Sequence, residues 1–133
     1  LVLIALVVSN IFEECCEKVC LMKCLIVKEK WLELILAGKK SWEIRGSNTR
    51  IRGKIGLIQS GSGKIFGEAE LVDSIPLTKE LLKKNFSKHR IPLEKLDYLK
   101  YKKPFAWILR NPKEYKTPKA YKHPQGAVIW VNV

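Results

Sequence analysis

Apolar and polar positions alternate along this chain in short blocks, and the period of the blocks switches between that of a strand and that of a helix. Lys23 to Val27 (KCLIV) reads as a short buried strand. Glu29 to Ala37 reads as a helix, with Trp31, Leu34 and Ile35 on one face and Leu32 and Leu36 flanking it. Gly38 follows as its C′ residue. Lys40 to Arg45 (KSWEIR) reads as the next strand, Trp42 and Ile44 pointing one way and Ser41, Glu43 and Arg45 the other. After a loop over 46–50, Gly53 to Gln59 and Lys64 to Val72 read as two strands, joined as a hairpin by Ser60-Gly61-Ser62-Gly63. Thr78 to Phe86 reads as a basic helix with Thr78 as its N-cap, and Pro92 to Tyr98 as another with Pro92 in its first turn. Phe105 to Arg110 (FAWILR) reads as a buried strand. Asn111 to Gln125, with Pro112, Pro118 and Pro124, reads as a long loop, and Gly126 to Val133 as a closing strand. There is no internal repeat and no linker. The order β-α-β, hairpin, helices and two late strands predicts an α+β domain. About six strands with two or three flanking helices bury both sheet faces most simply as a partly closed mixed β-barrel.

The totals fit that picture. A length of 133 residues suits one domain, and 47% apolar residues suffice for a packed core. The charge adds a functional clue: 25 Lys and Arg against 13 Asp and Glu leave a net +12. Residues 1–21 hold Glu13, Glu14, Glu17 and Lys18, so the excess belongs to the rest of the chain. A balance this basic favours a polyanionic partner, nucleic acid first among them. A Lys-rich solvated surface is the plainer alternative. No basic amphipathic helix offers itself to a membrane. Cys15, Cys16, Cys20 and Cys24 crowd the N-terminal end, unlike a disulfide framework, and no second Cys or His pair stands at zinc-ligand spacing. Reduced thiols in a cytoplasmic protein, with no metal and no cofactor, is the expectation.

Leu1 to Val8 is an apolar run too short to span a bilayer, and it lacks the basic start and cleavage site of a signal peptide. Met22 is the sole methionine and directly precedes the first strand. It is the expected natural start, with residues 1–21 an upstream extension. Alternatively those residues form a helix, because Cys16, Cys20 and Cys24 repeat at helical spacing. Both readings stay open.

The most informative segment is Gly38-Lys39-Lys40-Ser41-Trp42-Glu43-Ile44-Arg45. Glu43 and Arg45 sit two apart on one strand face, and Lys40 enters the same strand from the helix end. Charges there are costly unless paired or solvated, and such clusters mark sites. A solvent-facing polar strand edge is the bland alternative. The pattern W-x-x-x-I-L-x-G-x-K-x-x-E-x-R, from Trp31 to Arg45, resembles that of the ASCH domain family, and the PFAWIL and GAVIWV strands also fit it. The resemblance covers residues 23–133. It implies a PUA-like β-barrel with a cleft suited to RNA or a nucleoside. Some relatives remove the acetyl group from N4-acetylcytidine; others act as ribonucleases or as RNA-binding and coactivator modules. The amidohydrolases resemble this chain at Lys40, their essential lysine. Where they carry a threonine nucleophile three residues on, this chain has Glu43. Where they carry a later glutamate, it reads Ser87-Lys88-His89-Arg90.

Three functions follow from the charge and that resemblance. The first is binding of RNA or a modified nucleoside in a cleft lined by Lys40, Glu43 and Arg45, with Trp31, Lys39, Ser47 and Arg50 as further contacts. The second is hydrolysis of N4-acetylcytidine or RNA, with Lys40 and Glu43 catalytic: Glu43 a general base on water, Arg45 or Lys40 stabilising the oxyanion. Two neighbouring cations would weaken Glu43 as a base, in which case it orients Lys40. The third is an adaptor that binds an acidic protein partner. Other motifs fail. Gly56 to Gly61 has P-loop glycine spacing but is followed by Ser62-Gly63, and Gly53-Lys54-Ile55-Gly56 lies in a strand. Trp42, Trp107 and Trp130 fall inside strand patterns and read as core; Trp31 borders the proposed cleft. His123, in a Pro-rich loop beside Tyr121, reads as a surface residue.

Overall fold

The computed structural model describes residues 22–133. Residues 1–21, and with them the apolar run and the question of a cysteine-bearing helix, lie outside the described residues. Strand β1 (Lys23–Val27) is buried on both faces except at Lys23, as its unbroken apolar run predicts for a strand between two neighbours. It pairs in parallel with β3 (Gly53–Gln59) and antiparallel with β6 (Trp130–Asn132). Helix α1 (Glu29–Leu36) crosses over from β1, and β2 (Trp42–Arg45) follows it. The β3–β4 hairpin turns at residues 60–63, where Gly61 and Gly63 both take positive φ. Beyond β4 (Lys64–Pro76) come two short helices, α2 (Lys79–Lys84) and α3 (Phe86–His89), and a 3-10 helix (Leu93–Tyr98). The Thr78 hydroxyl accepts the Leu81 N–H at 3.2 Å, the cap expected of it.

The six strands form one mixed sheet in the order β2-β5-β4-β3-β1-β6, so the α+β class holds. The expected barrel does not close: the hydrogen-bonded ladder ends at β2 and β6. Those edge strands have four and three residues. The predicted strand over 126–133 is realised only at Trp130–Asn132, with Val128 and Ile129 exposed. A side-chain hydrogen bond crosses the open side, from β2 to β1, the strand beside the far edge β6. Arg45 of β2 donates to the Ile26 carbonyl of β1 at 2.8 Å.

The largest departure from the sequence reading is β5 (Phe105–Ala120), which runs through most of the predicted loop. It pairs with β4 from Pro76↔Phe105 to Lys64↔Ala120 through three register shifts. Pro112 falls in the shift between Glu68 and Glu70, beside Asn111 at φ 51; Pro118 falls in the shift between Ile65 and Gly67. A proline at a bulge removes no ladder hydrogen bond. On its other edge β5 meets β2 only over Phe105 to Ile108.

Three apolar clusters hold these pieces. Leu32 and Ile35 of α1 pack on Leu25, Val27, Leu57, Leu71 and Trp107 of the sheet. The buried face of α1 is therefore rotated from the predicted one, leaving Trp31 and Leu34 half-buried. Leu82 and Ile91 pack on Trp42, Ile44 and Leu77. Cys24, Ile26, Ile58, Ile65 and Val131 fill the opposite face of β1. The predicted core role of Trp42 and Trp107 holds, and Trp130 stacks on Trp107 with ring centroids 5.7 Å apart.

Gly67 shows how tightly β4, β5 and α1 meet. A Cβ there would collide with the Lys113 carbonyl oxygen and lie 2.7 Å from Leu36 Cδ2. Backbone cannot yield as a flexible side chain can. Gly67→Ala is expected to lower stability by about 1–3 kcal/mol, seen in urea unfolding as a lower midpoint with an unchanged slope. A midpoint within error of wild type would show that the bulge relaxes freely.

Candidate functional site

The site begins with the way α1 ends. Gly38 takes φ 75, its N–H bonds the Ile35 carbonyl at 3.0 Å, and the Lys39 N–H bonds the Leu34 carbonyl at 2.9 Å. This is a Schellman closure, and a residue with a Cβ would resist that conformation. The turn leaves Lys39 exposed and carries Lys40 inward, where only 3% of it meets solvent.

Lys40 Nζ donates to the His89 carbonyl at 2.6 Å and lies 3.8 Å from Glu43 Oε1. It also stands 4.6 Å from the centre of the Trp31 ring, near enough for a cation–π attraction. Glu43, at 5% exposure, accepts from Arg45 at 2.9 Å through Oε2. The same Arg45 nitrogen reaches Ile26 O, and the guanidinium lies 5.6 Å from the Trp107 ring centre. Three charges two and three residues apart thus form one chain, Lys40–Glu43–Arg45, buried at Lys40 and Glu43, partly exposed at Arg45, and tied at both ends to backbone carbonyls. Burial pushes the Lys40 ammonium down to about 8; Glu43 opposes that shift and Arg45 adds to it.

His89 supports this chain through its carbonyl, not its ring. The ring is fully buried: Nε2–H donates to Leu82 O at 2.6 Å and Nδ1 accepts the Ile91 N–H at 2.9 Å. Both nitrogens are occupied, which fixes the neutral Nε2–H tautomer. Burial lowers its pKa; the Leu82 bond opposes that shift and the Lys40 charge reinforces it. His123 is exposed, its Nδ1 accepting from the Tyr121 hydroxyl at 2.6 Å and its Nε2–H donating to Ala127 O, an arrangement that staples the loop after β5.

The chain of charges floors a cavity of about 600 Å³. Trp31, Lys40, Glu43 and Arg45 line it, so the structure brings together four of the seven residues singled out from the sequence. Lys39, Ser47 and Arg50 are exposed and do not line it. Ser47 contributes instead through its carbonyl, which accepts the Trp107 indole N–H at 2.9 Å. The sequence reading missed the other wall, made by Ile91, Lys95, Tyr98, Leu99, Lys100 and Tyr101, with Lys28 also at the rim. A usable signal existed in Tyr98-Leu99-Lys100-Tyr101-Lys102-Lys103, where basic and aromatic residues interleave. Among the described residues no three His, Cys, Asp or Glu side chains gather as a metal site, and no helix is long and apolar enough to cross a membrane.

The ASCH domain model matches residues 25–119, most of the chain and all of the charged cluster. The chain belongs to the ASCH domain family. Its fold is the PUA-like one, here with an open sheet. The crystal structure of the ASCH protein of Zymomonas mobilis superposes with a TM-score of 0.65 at 16% identity, over 84% of this chain and 87% of that one. Two single-substitution mutants of the same Zymomonas mobilis protein give TM-scores of 0.64 at 14% identity and 0.61 at 15% identity. Each alignment covers 84% of this chain, and 89% and 87% of the respective mutants. At such identities the likeness is one of fold. Among curated proteins none matches the sequence.

Burial of Lys40 has a consequence for stability. Its proton is held less tightly in the folded chain than in the unfolded one, where the ordinary value near 10.5 applies. Between pH 8 and 10.5 the unfolded state therefore binds more protons at this residue, and its contribution to stability rises with pH. The stability of wild type relative to Lys40→Met is expected to climb across that window, by at most about 1.4 kcal/mol per pH unit. Urea titrations of both proteins at matched pH measure the difference. A flat difference would mean that Lys40 keeps an ordinary, solvated ammonium.

Proposed function

We propose that this ASCH domain binds RNA or a modified nucleoside in the cleft floored by Lys40, Glu43 and Arg45. The observation that carries the reading is a lysine and a glutamate buried together, with a partly buried arginine beside them, in the lining of a cavity of ligand size. A buried ion cluster is a weak way to stabilise a fold, since apolar residues of similar volume would serve as well or better. It is a good way to present fixed donors beside a fixed acceptor, the pattern carried by the polar edge of a nucleobase. The net +12 of the chain supports an anionic partner, and family membership supports the ligand class. In this reading Lys39, Ser47 and Arg50, exposed before and after β2, touch the backbone of a longer RNA outside the pocket. Such a role fits the cytoplasm, as does Cys24, a buried free thiol.

Hydrolysis of an N4-acetyl group is a second reading, favoured by the Lys40 ammonium lying near pH 8, where an amine can take up and release a proton. Glu43 then serves differently from a general base. With Arg45 at 2.9 Å on one oxygen and Lys40 at 3.8 Å from the other, it holds the lysine in place.

Binding to tRNA and to short single strands, followed by fluorescence anisotropy, is expected at low salt and to weaken at least tenfold between about 50 and about 200 mM salt if three or more phosphates are contacted. Folded Lys40→Met and Arg45→Met variants should lose affinity further. Absence of binding at low salt, or binding indifferent to salt, would remove RNA from the reading; a protein partner that survives nuclease treatment would then point to an adaptor. Incubation with N4-acetylcytidine tests the second reading. Acetate release that vanishes in Lys40→Ala supports it, and no release by wild type ends it.

A further inference from the structure

The wall that faces the charged floor is built in an unusual way. From Leu93 to Tyr101 the chain runs as a 3-10 helix and a short extension, anchored by Leu96 and Leu99 against the Trp42–Ile44–Leu82 core. Between and beyond these anchors, Lys95, Tyr98, Lys100 and Tyr101 line the cavity. Tyr98 is 84% exposed although it belongs to the cavity wall. Core packing does not account for a large aromatic ring in that position. A flat partner entering the cleft would cover it.

Trp31 and Tyr101 are the other aromatics of the lining, and the Trp31 ring is already engaged. Lys40 Nζ lies 4.6 Å and Lys30 Nζ 4.7 Å from its centre. Tyr101 is less exposed than Tyr98 and packs against Gly46. Tyr98 is thus the ring offered to a ligand.

The charges around the cavity are unbalanced. Among the described residues Glu43 is the only carboxylate in the lining, and Lys40 and Arg45 already flank it. Lys28, Lys95 and Lys100 stand exposed at the rim, and among the described residues none of them has a carboxylate within 4.0 Å. Glu94 and Asp97 share the strap with Lys95 but do not line the cavity. Three cations without counter-charge around a concave site attract an anion into it.

We propose that the cleft takes a phosphorylated nucleotide, its base stacked on Tyr98 and its phosphate held by the rim lysines Lys28, Lys95 and Lys100. This rests on the nucleoside-binding reading above and narrows it. The floor reads the base edge, the strap supplies the stacking face, and the rim supplies the charge. A neutral nucleoside would leave the rim unused. A cavity of about 600 Å³ suits one nucleotide, free or at the end of an RNA strand, rather than a continuous chain.

Calorimetric titration separates these claims. The ligands are cytidine, cytidine 5′-monophosphate, the adenosine pair, inorganic phosphate, and a short RNA with and without a 5′-phosphate. The monophosphates are expected to bind about tenfold or more tighter than their nucleosides at low salt, with the advantage shrinking as salt rises. The double variant Lys95→Ala/Lys100→Ala should abolish most of that advantage while leaving nucleoside affinity unchanged. Tyr98→Ala should weaken nucleoside and nucleotide alike, by about 5- to 100-fold, and Tyr98→Phe should restore both. All three side chains are exposed, so circular dichroism and unfolding midpoints should match wild type. A preference for the 5′-phosphorylated RNA places the same site on strand ends; a preference confined to the monophosphates places it on free nucleotides. Equal binding of nucleoside and monophosphate, or a Tyr98→Ala variant with wild-type affinity, overturns the inference and leaves the cleft a nucleoside site. Inorganic phosphate binding as tightly as a monophosphate overturns the stacking role. If only RNA without a terminal phosphate binds, the inference fails and RNA binding stands; if nothing binds, both fail.

Discussion

One guanidinium nitrogen does two jobs in this fold. It accepts no substitute from the backbone, because β2 and β6 are too short to meet and the ladder that runs through the other strands stops at each. Arg45 crosses from β2 to the Ile26 carbonyl and, through the same nitrogen, to Glu43. The Ile26 N–H is spent on Ile129, the last contact before β6 gives out. The carbonyl would otherwise face the cavity without that donor, and an unpaired acceptor in a poorly solvated place costs about 1–3 kcal/mol. Closure by a side chain in place of a strand leaves an opening between the ladder's ends, and the cleft occupies it. The incomplete barrel and the site are one feature.

That arrangement explains why the charges come as a set of three. Arg45 alone could satisfy Ile26, but a guanidinium so enclosed needs an anion, and Glu43 supplies it. Lys40 then balances the far oxygen and is itself tethered by His89 O. The His89 ring, fixed by Leu82 and Ile91, holds that carbonyl in place. Removing any one member would leave a buried charge with too few partners, which typically costs about 3–5 kcal/mol, whereas replacing the set with apolar residues need cost little. The sequence pattern from Gly38 to Arg45 is therefore a unit: a helix stop, an inward lysine, and two charges on one strand face.

Much of this unit was legible in the sequence because its parts are local. Gly38 announces the end of α1, and strand alternation puts Glu43 and Arg45 on one face. Thr78 announced α2 for the same reason. What was not legible depends on distant partners. Pro112 and Pro118 read as loop residues because proline removes a ladder donor, yet bulges opposite β4 leave those positions without a ladder bond to lose. Barrel closure read as natural from the strand count, but β6 shrank to three residues and the ends did not meet. Ser47 and Arg50 are expected as further contacts of the cleft, yet the chain leaves the cavity as soon as β2 ends. Pro92 to Tyr98 read as one more helix; only the packing of the segment through Leu96 and Leu99 turns Tyr98 and the lysines toward the cleft.

Floor and rim differ in the kind of discrimination each can supply. The floor's donors and acceptor are tied to backbone carbonyls and to one another before any ligand arrives, so little ordering entropy remains to be lost there. Groups placed in advance reject a partner whose own donors and acceptors do not match, since mismatched buried groups are left unpaired. The rim lysines are exposed on long stems and act as point charges with little directional demand. Ions in solution screen them within a distance of about 8 Å at physiological salt, while the buried triad is screened far less. In the proposed function, attraction and selection are thus carried by separate parts of one cleft. On the proposed reading, charge on the strap draws an anion in and acceptance is decided below it, by a cluster whose Arg45 also ties β2 to β1.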